Sequence, residues 1–273
     1  MLLILFNVGF TIFLPSYRQN CEAHRMIMQK TDKERIGERL IIPRKNEDPV
    51  SVNIYVPQGN EEEIPIVFHI HGGGFVAGDA DALDTLSHRL CNQWHAMIVS
   101  VNYTTADVKP ISYGVKEIAD VVKYFDAHAE TYHVDPKKMD MIGYSAGAYY
   151  AAETTKMLIQ ENEHLNGLIL CYPWTTGLPK QNFERGWLKT MFVLAGRDPI
   201  SQRAKSYMNV MKNEVDVDVQ TYPDAQHSFI ESNNPEGKKD SSKEASYVRN
   251  KKQKLFARQA EEAIGQWIKK NGI

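Results

Sequence analysis

The stretch GYSAG, residues 143–147, sets a serine between two glycines, directly after the apolar run MDMI and before the alanine-rich AGAYYAAETTK. A serine hydroxyl is a weak nucleophile unless a base takes its proton. It must also stand clear of the chain to reach a substrate. G-x-S-x-G at a strand-to-helix junction meets that second need, because the serine sits on a sharp turn and the glycines leave room for strained backbone. Ser145 is the candidate nucleophile. Ala146, Ala148, Ala151 and Ala152 are small enough to let the next helix cross a sheet closely. Alone the motif is weak, since a glycine-bracketed turn with an inert serine reads the same way.

A second feature changes its weight. His71-Gly72-Gly73-Gly74 closes the apolar run IPIVFHI. Consecutive glycines cost backbone entropy and weaken a strand, so they imply a ligand that must approach the main chain closely. Beside an activated serine that ligand is an acyl carbonyl: the N–H groups of Gly73, Gly74 and Ala146 are expected to converge on the oxygen that becomes negative, an oxyanion hole. No phosphate-binding pattern, neither G-x-x-x-x-G-K-[ST] nor G-x-G-x-x-G, is present. His69 and His71 have a strand spacing that suggests a metal, but no further ligand cluster follows, and none is expected.

The serine needs a base and an acid to orient it. Among nine histidines, His227 in PDAQHSF lies in the loop after the last strand-like run and is the expected base. Asp198, in LAGRDPI, is the expected acid, although Asp-Pro is also a good start for a helix. Asp224, three residues before His227, is the rival.

The elements that must position these groups alternate along the chain. RLIIP and SVNIYV read as antiparallel strands, IPIVFHI, AMIVSVNY, KMDMIGY, LNGLILCY, KTMFVLAG and VDVQTYP as further strands. Helices are expected over DALDTLSHRLCNQW, SYGVKEIADVVKYFDAHAETY, AGAYYAAETTKMLIQ, SQRAKSYMNVMK and from Lys251 towards Lys269. In the second of these, Val115, Ile118, Val121, Val122 and Phe125 recur at helical spacing. This alternation implies an α/β class with a mostly parallel sheet covered on both faces. Residues 231–250, polar with Gly, Pro and several Ser, read as an exposed loop or a poorly ordered excursion before the final helix.

With 32 basic and 34 acidic residues, a net charge of −2 asks for no nucleic-acid partner. Three widely spaced cysteines, Cys21, Cys91 and Cys171, suit a reducing compartment, and a cytoplasmic location is expected. The chain divides into an apolar N-terminal segment, 1–36, and a domain over 37–273. The opening MLLILFNVGFTIFLP is short for a membrane span. It reads as a helix folded onto the domain, as an export or membrane segment through residues 1–15, or as sequence upstream of a true start at Met26 or Met28. Membrane association through it is not favoured, and the oligomeric state is left open.

Over residues 64–270 these motifs resemble the hormone-sensitive-lipase-like esterases, the bacterial family IV or fold-3 group of α/β hydrolases. HGGGF is similar to that group's oxyanion signature, GYSAG to its G-D-S-A-G elbow, RDPI to its D-P-L and QHSF to its H-G-F. The order Ser145, Asp198, His227 matches the hydrolase order. The resemblance implies a serine carboxylesterase without a cofactor, acting on small, short-acyl esters. An amidase or peptidase on the same three residues, or a non-catalytic binder on the scaffold, are the alternatives. There are departures: Tyr144 replaces the acidic residue of the elbow, Ala148 its last glycine, and NYTTAD stands in place of Y-R-L-A-P-E. The missing arginine leaves Asp120 to be paired differently. Only residues 175–187 separate Trp174 from Leu188, where relatives insert part of a lid. The N-terminal segment is then the whole lid, over an open pocket floored by Phe75, Tyr144 and Trp174.

Overall fold

Eight strands form one sheet: β1 (Glu38–Ile42), β2 (Val50–Tyr55), β3 (Ile64–Ile70), β4 (Met97–Asn102), β5 (Val134–Tyr144), β6 (Gly167–Cys171), β7 (Lys189–Ala195) and β8 (Val217–Tyr222). The computed structural model describes residues 15–59, 63–179, 183, 186–233 and 251–271. The strand order is β1-β2-β4-β3-β5-β6-β7-β8. β2 runs antiparallel to both β1 and β4, and the remaining pairs are parallel. The inner strands β4 and β6 are buried almost throughout, as strands covered on two faces must be, whereas the edges β1 and β8 are exposed or half-buried along most of their length.

Among the described residues the sheet is flanked by helices α1 (Pro15–Met28), α2 (Asp84–Trp94), α3 (Ile111–Ala127), the single turn α4 (Ala129–Tyr132), α5 (Ala146–Gln160), α6 (Pro199–Met211) and α7 (Lys251–Asn271). Side chains alternate across the pleat and build two cores. Phe68, Met141, Leu168 and Phe192 meet α3, α5 and α6 on one face. Val67, Ile142, Ile169 and Val193 meet α2 and α7 on the other. The periodic residues of α3, Val115, Ile118, Val121, Val122 and Phe125, are all buried.

Two expectations are modified. The expected exposed loop begins instead as a short 3₁₀ turn, Glu231–Asn233, with Asn233 buried and its amide donating to Phe229 O; residues 234–250 lie outside the described residues. Pro15–Met28 is a helix that apolar composition alone did not mark, whereas the apolar stretch 1–14 lies outside the described residues. The segment behind α1 is tied to the domain by charge: Lys30 pairs with Asp84 and Arg35 with Asp81, which Arg39 of β1 also holds. No helix among the described residues is long and apolar enough to cross a membrane. Cys21, Cys91 and Cys171 are buried and form no disulfide among the described residues.

Candidate active site

The carboxyl ends of the parallel strands carry the site. β5 ends at Tyr144, and the chain turns into α5 through Ser145, whose φ of 54° and ψ of −116° are a backbone state that costs a non-glycine residue energy. The turn is held by Ser145 N–H donating to Cys171 O (2.9 Å) and by Trp174 N–H donating to Ser145 O (3.1 Å). The two flanking glycines are required sterically. A Cβ on Gly143 would lie 2.5 Å from Ala148 Cα, and one on Gly147 would lie 2.2 Å from Ile70 O.

Ser145 Oγ lies 2.8 Å from His227 Nε2, and His227 Nδ1 lies 2.8 Å from Asp198 Oδ2. Since a carboxylate only accepts, Nδ1 carries the proton and Nε2 is free to take one from the serine. Asp198 makes the contacts of both readings. It caps α6, accepting from Ile200 N–H (2.9 Å) and Ser201 N–H (3.1 Å), and it holds His227. Ser201 Oγ–H adds a further bond to Oδ2 at 3.0 Å. Burial alone would push the Asp198 carboxyl up, but His227 and the bonds from Ile200 and Ser201 outweigh it and hold the group below the ordinary carboxylate range. The rival Asp224 lies at the surface with Arg197 and Lys252, which lower it in the same direction, and it does not reach His227.

The loop after β3 faces Ser145. Gly73 (φ 126°), Gly74 (φ 59°) and Phe75 (φ 74°) are three successive residues in the left-handed region. Val76 and Ala77 N–H both donate to Gly73 O, which closes the turn. Among the described residues no acceptor is recorded for the N–H groups of Gly73, Gly74 or Ala146. A Cβ on Gly72 would come within 3.4 Å of Ser145 Cβ, whereas one on Gly74 would meet nothing within 4 Å. Gly74 therefore borders open space. His71 is buried away from that space, its Nδ1–H donating to Gly72 O (2.8 Å) and its ring stacked on Tyr103 at 4.2 Å. His69 meets Ser87 Oγ at 3.1 Å and burial lowers its pKa to about 3; among the described residues no group of three or more ligating side chains gathers to hold a metal.

Of the three aromatic residues expected to floor a pocket, two come together. Phe75 and Trp174 stand edge to face with ring centroids 6.0 Å apart. Tyr144 does not join them. It follows Ile142 in the pleat, so it points to the opposite face, fully buried against His69 and Tyr172. In its stead Tyr149 packs against Phe75 at 5.5 Å. Tyr149 lies one helical turn beyond Ser145, a spacing that was available in the sequence. Ser201, at the third position of a helix opened by Asp-Pro, was equally readable. The arginine missing from NYTTAD is replaced from afar: Thr104 donates to Glu117 through N–H and Oγ1, and Arg44 in the β1–β2 turn pairs with Asp120 at 2.7 Å.

Residues 67–188 match a family model described as alpha/beta hydrolase fold. An acetyl esterase of Salmonella schwarzengrund is 26% identical over 109 residues, which is 40% of this chain and 34% of that protein. An acetyl esterase of Salmonella choleraesuis is similar to the same degree, so the chain spans about a third of the length of the curated relatives it matches. Among solved structures, an esterase of Pyrobaculum calidifontis superimposes with a TM-score of 0.73 at 21% identity, covering 93% of this chain and 92% of that one. A thermophilic carboxylesterase cloned from a metagenomic library gives 0.74 at 19% identity, with 94% and 97% covered. At those identities the superpositions speak for the fold.

Proposed function

We propose that this chain, whose fold is that of the α/β hydrolases and whose motifs resemble those of the hormone-sensitive-lipase-like esterases, is a serine carboxylesterase acting on small, short-acyl esters. The observation that carries this reading is the relay from Ser145 Oγ through His227 to Asp198, each step 2.8 Å, opposite a loop in which the Gly73 and Gly74 N–H groups meet no main-chain acceptor among the described residues. His227 Nε2 takes the serine proton as Oγ attacks the ester carbonyl. The carbonyl oxygen becomes an anion, and N–H groups of Gly73, Gly74 and Ala146 stabilise it without needing to reorient. Collapse of the tetrahedral adduct expels the alcohol, which takes the proton from His227, and leaves an acyl-Ser145 ester. Water, deprotonated by the same nitrogen, then releases the acid and restores the serine. Asp198 keeps the proton on Nδ1 and stabilises the imidazolium in between.

The relatives named acetyl esterase support a short acyl group. So does the crowding of Phe75, only 3% exposed, between Tyr149 and Trp174, which leaves little apolar wall for a long chain. The test is hydrolysis of p-nitrophenyl esters from acetyl to decanoyl, with organophosphate labelling in parallel. Wild-type turnover that falls with chain length, together with a Ser145→Ala variant that neither turns over nor labels, is the expected result. Labelling of the variant at another residue overturns the nucleophile, and rising kcat/KM with chain length overturns the short-acyl preference.

A further inference from the structure

The helix α1 lies against the back of the loop that carries the free amides. Arg25, near its end, donates through Nη1 to Val76 O at 2.6 Å and to both oxygens of Asp107, at 2.9 and 2.7 Å. Asp107 belongs to the loop after β4; its side chain is fully buried and also accepts from Thr105 Oγ1 at 2.6 Å. One residue before it, Ala106 N–H donates to Phe75 O at 2.7 Å. Two successive carbonyls of the glycine loop, those of Phe75 and Val76, are thus fixed from behind, one by the β4 loop and one by a guanidinium that also grips the β4 loop.

Fixing those carbonyls matters because of the conformation in front of them. Gly73, Gly74 and Phe75 all have positive φ, and Phe75 pays a steric cost to be there. Glycine has alternative conformations of similar energy, so the peptide plane between Gly73 and Gly74 is held by the two N–H groups, of Val76 and Ala77, that donate to Gly73 O. A plane that rotates turns an N–H away from the oxygen it would hold. Donors on Phe75 O and Val76 O hold the two peptide planes that carry the Val76 and Ala77 N–H groups, which in turn hold Gly73 O, and one guanidinium nitrogen, Nη1, binds a carboxylate and a carbonyl at once.

We infer that Arg25 is a positioning residue for the oxyanion hole: α1 is a working wall of the site, and its guanidinium holds the Gly73–Val76 turn in the conformation that presents its amides to the substrate. The inference rests on the reading of Gly73 and Gly74 as oxyanion donors. It assigns to the N-terminal segment a part in the chemical step in addition to any covering of the pocket. The arginine absent from NYTTAD has thereby a second replacement, supplied to Asp107 by a different element.

Removing Arg25 alone would strand the buried carboxylate of Asp107 and endanger folding, so the test pairs the changes. Arg25→Met/Asp107→Asn removes both charges, and Arg25→Lys keeps the charge on a shorter side chain. For the paired variant the expected result is an intact far-ultraviolet spectrum, a kcat lowered about 10- to 100-fold, and a KM within about threefold of wild type, as a misplaced donor costs the transition state and spares ground-state binding. Affinity for a trifluoromethyl ketone, which adds to the serine as a tetrahedral oxyanion, should fall in step with kcat/KM. Arg25→Lys should recover part of both. Amide hydrogen exchange over residues 72–78 should speed up in the paired variant, and this readout needs no turnover. A folded variant with wild-type kcat, ketone affinity and exchange overturns the inference. If wild type itself fails to hydrolyse esters or to label at Ser145, the functional reading falls, and the exchange rates alone decide whether Arg25 holds the loop.

Discussion

Two buried aspartates, one at the rim of the sheet and one within it, have opposite fates. Asp198, 2% exposed just beyond β7, receives hydrogen bonds from His227, Ile200 N–H, Ser201 N–H and Ser201 Oγ, and stays ionised. Asp140, 1% exposed inside β5, has no partner for either oxygen among the described residues, and burial pushes its carboxyl up to about 8. The difference lies in where main-chain donors are free. β5 is paired on both sides, Asp140 facing Val67 of β3 and Gly167 of β6, so the ladder has used the nearby amides. Where β7 ends, the first turn of α6 offers N–H groups with no intrahelical acceptor. The rim can hold charge and strain because helix starts and loops supply donors there. The interior can only suppress charge. Changes at the rim should therefore cost rate, and changes inside the sheet should alter stability alone.

The largest effect expected is from Asp198→Asn. An asparagine still caps α6, but it cannot serve every donor that the carboxylate serves, so about 1 kcal/mol of stability is expected to go. It no longer stabilises the imidazolium of His227 and favours the wrong tautomer, and kcat should drop by about 10⁴, roughly 5 kcal/mol of barrier. Asp224→Asn touches only surface partners and should leave both quantities nearly unchanged. Thermal melts and p-nitrophenyl acetate kinetics on the pair measure this. A dead Asp224→Asn beside an active Asp198→Asn would reverse the assignment.

Gly73 and Gly74 sharpen the comparison within the rim itself. A methyl on Gly73 would stand 1.9 Å from Ala77 O, so Gly73→Ala should lose stability and activity together. A methyl on Gly74 meets nothing within 4 Å, and at φ 59° alanine costs about 1–2 kcal/mol. Gly74→Ala should fold, with a modestly lowered Tm, while kcat/KM falls at least about tenfold because the methyl borders the space the carbonyl must enter. Equal losses of stability in the two variants would mean that the turn tolerates no distinction between a structural and a facing glycine.

The strand and helix series was legible because apolar runs and helical periods are local, and β3 spans IPIVFHI as its pattern implies. Ser145, Asp198 and His227 were legible because their flanking glycines and prolines mark the ends of elements. What failed was side. Tyr144 was expected beside Phe75, yet the two-residue pleat carries it to the other core, where it packs with Tyr172. Arg25 had no local mark at all, since its partners Val76 and Asp107 lie 51 and 82 residues away. Contacts of that range are fixed by how elements pack, and one sequence does not display packing.

Within the sheet, Asp140→Asn is the change that should improve the protein without touching its chemistry. An unfolded aspartate titrates near 3.9. Held at about 8 in the fold, Asp140 keeps its proton across a range where the unfolded chain has released it. The native state then binds more protons than the unfolded state, so stability falls as pH rises from about 4 through about 8, by at most about 1.4 kcal/mol per unit. Asparagine has no proton to lose and resembles the protonated acid in size. Relaxation around the ionised carboxylate trims the loss, and the variant should be about 1–3 kcal/mol more stable than wild type at pH 8, a few degrees in Tm, and close to it at pH 4.5. Because Asp140 lies well back along β5 from Ser145, kcat should not move. Denaturant titrations at pH 4.5, 6 and 8 give the two slopes. Parallel curves for wild type and variant would show that Asp140 is ionised in the fold, and the contrast between rim and interior would lose its interior half.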